Sequence, residues 1–375
     1  MTTDLPQIIA YPMHGETKLR REGLRTRDAH ILEHLATTLL RDVTVVSRPE
    51  PFPRVTTSRF RKPDQATASL LTLTNTVSRQ VSPFRLRLPL RRWWIESTRF
   101  YPLPRPTTNV AVVCWNPIIA AEFARRGLVP ERAVFDLLDD WTRHPSFAAI
   151  RTEVEQAYEL ALRCWPTVVA NAPGTMELAS RFGRDDAHLI TNGVDREKFS
   201  LTSSASGPLT IGYGGKISSR LDVDLLRRIR AARPKWEIRV CGPIIEQQVF
   251  EQLRGINGIR YLGDLKYEEY VEEIRSWDIA IVPHRVGDGE IGGDVIKIYE
   301  YRAAGIVTVS TDISGAGNVG LSPGLLIGTS ADFVTLLDRA CADFGQDGRI
   351  ARVPHEIADA HTWLAKARVM NTFLS

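Results

Sequence analysis

Three stretches of the 375-residue chain carry side chains whose types and spacing could do chemistry. In Ile211-Gly-Tyr-Gly-Gly-Lys-Ile-Ser-Ser-Arg220, where a strand should turn toward a helix, Gly212, Gly214 and Gly215 let the backbone approach a ligand closely. Lys216 and Arg220 add positive charge beside amides able to hold an anion, which is the chemistry of a phosphate cradle. Neither GxxxxGK[ST] nor the third glycine of GxGxxG is present, and steric need at a tight turn accounts for the same glycines. In Asp294-Val-Ile-Lys-Ile-Tyr-Glu-Tyr-Arg-Ala-Ala-Gly-Ile-Val-Thr-Val-Ser-Thr311, Lys297 and Glu300 lie three apart and share a helix face. Asp294 can cap the first turn and Gly305 can end the helix. The pair would project a cation and a carboxylate together, either toward a ligand or as a surface ion pair of little energetic weight. In Val134-Phe-Asp-Leu-Leu-Asp-Asp-Trp-Thr-Arg-His144, Asp139 and Asp140 follow an apolar strand, the place for a base that takes a hydroxyl proton. Asp139 is favoured, then Asp140, then His144; the alternative is one acid capping the next segment and the other solvated.

Two further patterns invite chemistry with less to support it. Asp222-Val-Asp224 spells a metal-binding DxD, but it reads better as carboxylates in the first turn of a helix, where the dipole favours them, and no metal is assigned. Arg79 to Arg105 packs seven arginines around Trp93, Trp94, Phe100 and Tyr101, a mixture suited to a membrane interface, to a phosphorylated acceptor, or to a loop folding over its own core. Residues 1–105 hold 18 Lys/Arg against 9 Asp/Glu, whereas the remainder holds 30 against 35. A basic first part suggests an anionic partner, although Arg outnumbers Lys 40 to 8 throughout and that bias explains much of it. No nucleic-acid-reading module is recognisable, so nucleic acid is not an expected partner.

These residues need a scaffold, and the apolar periodicity supplies strands alternating with helices. Gln7–Tyr11, Val43–Ser47, Asn109–Cys114, Ala133–Leu138, Thr167–Ala170 and Ala187–Ile190 read as strands. Helices are expected over Leu24–Leu40, Pro117–Arg126, Ala149–Arg163 and Gly174–Phe182. The Pro-, Thr- and Arg-rich region Pro49–Pro106 breaks the rhythm, with one candidate helix over Ala66–Ser78. After the small, polar stretch Ser200–Pro208 a second series begins. Its strands are Leu209–Tyr213, Glu237–Cys241, Ile259–Leu262, Ile279–Val282, Val307–Ser310 and Leu325–Ile327, and its helices Leu221–Ala232, Glu246–Leu253, Tyr267–Ser276 and Val295–Ala304. The fold class is therefore α/β: two tandem Rossmann-like, doubly wound domains, whose ligands bind beyond the carboxyl ends of the strands, in an interdomain cleft. The expected bounds are 1–195, 196–354, and 355–375 for a terminal helix, read over His355–Leu374, crossing back to the first domain.

Composition, 43% hydrophobic and 25% charged, suits a globular chain and argues against disorder. Cys114, Cys164, Cys241 and Cys341 form no CxxC pair, so a zinc ribbon or disulfide framework is not indicated and a reducing compartment fits. The N-terminus lacks the pattern of a secretory signal and no apolar run approaches a membrane span.

Lys-Ile-Tyr-Glu-Tyr-Arg-Ala-Ala-Gly-Ile-Val-Thr-Val-Ser-Thr (297–311) resembles the signature helix of GT-B glycosyltransferases related to the group 1 glycosyl transferases, K-x-Y-E-Y-x-A-A-G-x-P-V-V. Thr191-Asn-Gly-Val-Asp195 with Phe199, Ile211–Lys216 with Leu221–Leu226, and Tyr261-Leu-Gly263 followed by Trp277–Pro283 are similar to further motifs of that family, in the same order. The resemblance spans roughly Val110 to Ser310. It implies an acceptor-binding domain over 1–195 and a nucleotide-sugar-binding domain over 196–354, the latter with Lys216 and Lys297 on the diphosphate, Glu300 on the ribose hydroxyls, Gly214 and Gly215 in the close-approach loop, and Arg220 and Tyr299 in the same set. The sequence departs from the family at Gly292, where many relatives carry an acid, with Glu290 two residues away, and at Val307 in place of proline.

The expected function is metal-independent transfer of a sugar from a nucleotide-diphosphate sugar to an acceptor hydroxyl on a small molecule, a glycan or a lipid-linked intermediate. No cofactor is expected beyond the donor substrate. The expected location is cytoplasmic, with peripheral membrane contact through the basic first domain as an added expectation. The alternatives are a nucleotide-sugar epimerase on the same frame, and a non-catalytic binding subunit, suggested by Gly292.

Overall fold

Short β-branched runs between helices form parallel strands buried on both faces. The computed structural model describes residues 5–13, 15, 25–51, 75–77, 80–81, 92–287, 290–318, 320 and 323–375. The chain packs as two compact units, Met1–Thr191 with Trp363–Ser375, and Asn192–Thr362.

In the first unit the strands are β1 (Gln7–Tyr11), β2 (Val43–Val46), β3 (Asn75–Val77), β4 (Val110–Cys114), β5 (Ala133–Leu137), β6 (Thr167–Ala170) and β7 (His188–Leu189). They form one parallel sheet in the order β3-β2-β1-β4-β5-β6-β7. All five residues of β5 are buried, as a strand covered on both faces requires. Helices α1 (Arg27–Glu33), α2 (Arg92–Glu96), α3 (Pro117–Arg125), α4 (Arg151–Cys164) and α5 (Pro173–Arg181) connect or cover them. The Asn116 side chain accepts the amides of Ile118 and Ile119, which with Pro117 fixes the start of α3.

Several expectations for this unit are corrected. The helix expected over Ala66–Ser78 is replaced, where the residues are described, by β3: Thr76 and Val77 pair with Val45 and Val46, and β-branched side chains favour that pleated setting. Residues 66–74 and 78 lie outside the described residues. The helix expected over Leu24–Leu40 begins at Arg27, widens into a π-turn over His34–Thr38, and is followed by Leu40 in the left-handed region at φ +51°. Of the Arg79–Arg105 aromatics, Trp93, Trp94 and Tyr101 are core residues. The Trp93 indole donates to Pro49 O at 2.9 Å, and Trp94 meets Trp141 and Phe147 edge-on at 5.0 and 5.6 Å with Arg48 over its face. Those rings therefore do not present an interface to lipid. Residues 79 and 82–91 of this stretch are outside the described residues.

The second unit holds β8 (Thr210–Gly214), α6 (Val223–Ala232), β9 (Glu237–Cys241), α7 (Gln247–Arg254), β10 (Ile259–Tyr261), α8 (Tyr267–Glu273), β11 (Ile279–Val282), α9 (Ile296–Ala303), β12 (Val307–Thr311), β13 (Leu325–Gly328) and α10 (Phe333–Phe344). Its six parallel strands run β10-β9-β8-β11-β12-β13. Helix α10 adds to the expected helices: Phe333, Leu337 and Ala340, all buried, stand at helical spacing along it. Helix α11 (Trp363–Phe373) belongs to the first unit, burying Trp363, Lys366, Ala367 and Met370 there. His355–Ala358, expected to be helical, is not; a 3-10 turn at Asp359–His361 precedes α11.

Each sheet reverses its winding direction between two central strands, β1 and β4 in one unit and β8 and β11 in the other. The loops leaving such a pair diverge to opposite faces and open a crevice at the carboxyl ends. In the second unit those loops begin at Gly215 and Pro283.

Candidate functional site: an anion cradle and a clamped carboxylate

The crevice of the second unit is built first from missing side chains. A Cβ at Gly215 would sit 2.8 Å from Lys297 Nζ and 2.7 Å from the Tyr213 hydroxyl. At Gly242, which adopts φ +129°, it would strike Gly215 O at 2.2 Å. Only glycine at both positions lets the two loops approach so closely.

Lys297 reaches this crevice from the first turn of α9. Its ammonium lies 5.0 Å from the Tyr213 ring centroid and 3.4 Å from His284 Nε2. His284 Nε2 is also 3.1 Å from the Tyr213 hydroxyl, which donates to Lys216 O at 3.3 Å. Burial, and then the charge of Arg220, with Lys216 adding to it against the pull of Glu300, push Lys297 down to about 7. His284 is held well below its ordinary value by burial, Lys297 and Arg220, so its imidazole is neutral. Like charges gathered in one crevice destabilise one another, and a ligand anion among them would lower that cost.

Glu300, one turn further along α9, is 5% exposed. The Tyr267 hydroxyl donates to its Oε1 at 2.9 Å and the Tyr270 hydroxyl to its Oε2 at 3.0 Å. Burial and the Glu300 charge push Tyr270 well above its usual range, so the phenol keeps the proton it donates. The Tyr301 hydroxyl accepts the Gly214 amide at 3.0 Å and is hydrogen-bonded to Tyr270. Since the proton of Tyr270 goes to Glu300, Tyr301 donates to Tyr270. One chain of hydrogen bonds therefore runs from the glycine loop to the carboxylate.

Asp294 precedes α9 and accepts from Asn192 N at 2.7 Å, Val295 N at 2.9 Å and the Tyr299 hydroxyl at 2.9 Å. Tyr299, from the expected nucleotide-sugar set, is fully buried and anchors this loop. Glu290, near the departure at Gly292, accepts the Ser314 amide. Asp222 caps α6 through Leu225 N at 3.0 Å, and Asp224 pairs with Arg227, which accounts for the DxD spelling as helix-start chemistry.

In the first unit Asp139 and Asp140 follow the carboxyl end of β5. Asp139 is half-buried, and its carbonyl accepts the Tyr158 hydroxyl at 2.9 Å. Asp140 is buried: it accepts the Thr142 amide and hydroxyl at 2.9 and 2.6 Å and pairs with Arg181 at 2.6 Å. His144 Nδ1 accepts the Ser146 amide at 3.1 Å and starts the 3-10 turn Pro145–Ile150.

The structure thus brings Gly214, Gly215, Lys216, Arg220, Lys297 and Glu300 to one crevice and adds Tyr213, Tyr267, Tyr270, His284 and Tyr301. Of these additions only His284, immediately after a strand and a proline, carried a positional hint. Tyr267 and Tyr270 sit in the acidic, surface-like run Tyr-Glu-Glu-Tyr-Val-Glu-Glu.

Residues 216–343 match the family described as glycosyl transferases group 1. A curated relative, the putative teichuronic acid biosynthesis glycosyltransferase TuaH of Bacillus subtilis (strain 168), is 24% identical over 141 residues, which cover 35% of this chain. The match spans only 36% of that relative's length. Among solved structures, sucrose-phosphate synthase of Thermosynechococcus elongatus is similar with TM-score 0.70 at 14% identity, covering 98% of both chains. Anabaena Alr3699/HepE in complex with UDP and glucose gives TM-score 0.68 at 15% identity, over 99% of this chain and 100% of that one. A UDP-forming trehalose-phosphate synthase of Burkholderia xenovorans gives 0.67 at 11%, over 99% of each. In fold the chain is a GT-B protein of two tandem Rossmann-like units, and its second unit carries the group 1 glycosyl transferase pattern.

Proposed function

We propose that this chain is a glycosyltransferase that moves a sugar from a nucleotide-diphosphate sugar to an acceptor hydroxyl without a metal. The observation that carries the reading is the crowding of Lys216, Arg220 and Lys297 about a glycine-lined crevice at the strand ends of the second unit, with Glu300 one helical turn away. A diphosphate would neutralise those cations, and the carboxylate would accept sugar hydroxyls. UDP is the first donor nucleotide to test, because HepE is solved with UDP and with UDP-glucose.

In the reaction the acceptor oxygen loses its proton to a base and forms a bond to the anomeric carbon. The bond from that carbon to the diphosphate oxygen breaks, and the nucleoside diphosphate leaves with the electron pair. Fixed cations and amide dipoles stabilise the charge that develops on this leaving group, the task otherwise given to a metal. The first unit would hold the acceptor, with Asp139, half-buried just past the carboxyl end of β5, as the base, ahead of Asp140 and then His144. The acceptor is read as a small molecule, a glycan or a lipid-linked intermediate, met on the cytoplasmic side.

Binding and turnover test the proposal together. Lys297→Ala and Glu300→Ala should each weaken UDP binding at least tenfold by calorimetry, the scale set by losing a charged contact. Asp139→Asn should leave binding unchanged while lowering turnover 100-fold or more, roughly the weight of a general base. Unchanged affinity in the first two variants would defeat the donor assignment. Conversion of UDP-sugar with no acceptor present would point instead to epimerisation.

A further inference from the structure

Lys297 is bracketed by a ring that its own helix closes. Asp294, two residues ahead of α9, accepts the amide of Val295 on Oδ1 at 2.9 Å. On Oδ2 it accepts the hydroxyl of Tyr299, five residues further on, also at 2.9 Å. Lys297 lies between the two, so a side chain at each end closes the first turn of α9 across the lysine. The opening amides of a helix need such acceptors, and the side chain of Val295 at the helix start offers none. The facing segment leaves no slack: a Cβ at Gly315 would lie 2.9 Å from Asp294 Oδ1.

The same residue holds the point where the chain enters the second unit. Asn192, the first residue of that unit, donates its backbone amide to Asp294 Oδ2 at 2.7 Å and its side-chain amide to Asp294 O at 3.2 Å. Two residues on, Val194 donates to His361 O at 2.9 Å and pairs with Thr362, the last residue of the unit. The Tyr299 ring lies 5.8 Å from the His361 ring. The entering and leaving segments are thus joined to each other, and both meet the ring around Lys297.

We infer that Asp294 and Tyr299 are positioning residues for Lys297, and that through Asn192 and His361 they couple the anion cradle to the segments by which the chain enters and leaves the second unit. This inference rests on the nucleotide-sugar reading and adds a means of regulating that same site. Tyr299 is fully buried, so it acts on a ligand through Lys297 rather than by contact. An anion that fixes Lys297 in the cradle holds the first turn of α9, and with it the bonds of Asn192 and Val194. Such coupling is reciprocal: a change at either segment alters the affinity of the cradle by the same factor.

The test is amide hydrogen exchange of the intact protein, read by mass spectrometry, free and saturated with UDP, GDP or inorganic pyrophosphate, with calorimetry giving each affinity. In the wild type a bound diphosphate should slow exchange by roughly tenfold or more in peptides carrying 192–194 and 361–362, and in the glycine loop 212–217. Tyr299→Phe keeps the packed ring, and Asp294→Asn keeps the shape of the side chain. Each should weaken pyrophosphate severalfold and abolish the slowing at 192–194 and 361–362, while the glycine loop of the saturated variant stays slowed. A merely structural role would speed exchange in the free protein and leave the ligand-induced slowing intact. Should one variant unfold, the other carries the comparison, since each removes a different group. Failure of UDP, GDP and pyrophosphate alike to bind the wild type would overturn the donor reading and this inference with it. Binding that leaves 192–194 and 361–362 unslowed in the wild type, or slowing that persists in both variants, would overturn this inference alone.

Discussion

At the scale of single residues, the site depends on charges placed where they repel. Lys297 has an ordinary value of 10.5 and sits at about 7 in the fold, mainly through burial and then through Arg220. Between these values the unfolded chain holds a proton that the folded chain has lost, so stability should rise with pH across that window. The burial cost is fully present below pH 7. A diphosphate favours the ammonium form, so binding near pH 8 should take up a proton. UDP affinity should fall as pH rises from 7 to 9, and Lys297→Arg should flatten that dependence; calorimetry in buffers of different ionisation enthalpy reads the proton directly. Asp140 gives a contrasting expectation. Asp140→Asn weakens the partner of Arg181 and should lower the melting temperature by several degrees, the effect of about 1–2 kcal/mol. A thermal scan beside the activity of the same variant separates this from the role given to Asp139.

At the scale of elements, what was legible in the sequence followed period and punctuation. Alternating apolar runs marked most strands of both sheets, and Gly305, at φ +65°, ends α9 as its position suggested. Lys297 and Glu300 were legible because one helix carries both. Tyr267, Tyr270 and His284 were not, because they join the site through packing of separate segments, and no local pattern distinguishes a tyrosine turned toward a carboxylate from one facing water. The aromatics near Trp93 were ambiguous for the same reason: cations beside rings suit lipid and suit a core, and only the contacts with Pro49, Trp141 and Phe147 decide between them. Helix starts offer a quantitative check. Asp222→Ala removes the cap of α6 and a bond from Ser330, and should cost about 1–2 kcal/mol in denaturant unfolding. Gly242→Ala should be far worse for ligand binding than for α6, since the added carbon meets Gly215 O.

At the scale of the molecule, the two units differ in how the chain builds them. The second is one continuous stretch, Asn192–Thr362, whereas the first also needs Trp363–Ser375. Trp363 stacks on His30 at 4.8 Å, Lys366 donates to Thr191 Oγ1 at 2.9 Å, and Arg41 bonds Asn371 and Leu374 O. Removing Trp363–Ser375 should therefore destabilise the first unit selectively. In calorimetric melting one transition should move down by about ten degrees, as expected for the loss of several buried side chains. The transition that UDP raises should stay in place.

The same discontinuity bears on the order in which the protein can mature. A ribosome releases the whole of the second unit before the helix that finishes the first, so the earlier-made half must wait, incomplete, while the later-made half becomes able to fold. Conditions that slow or interrupt translation between Asn192 and Thr362 would then expose the first unit, rather than the second, to chaperones and proteases.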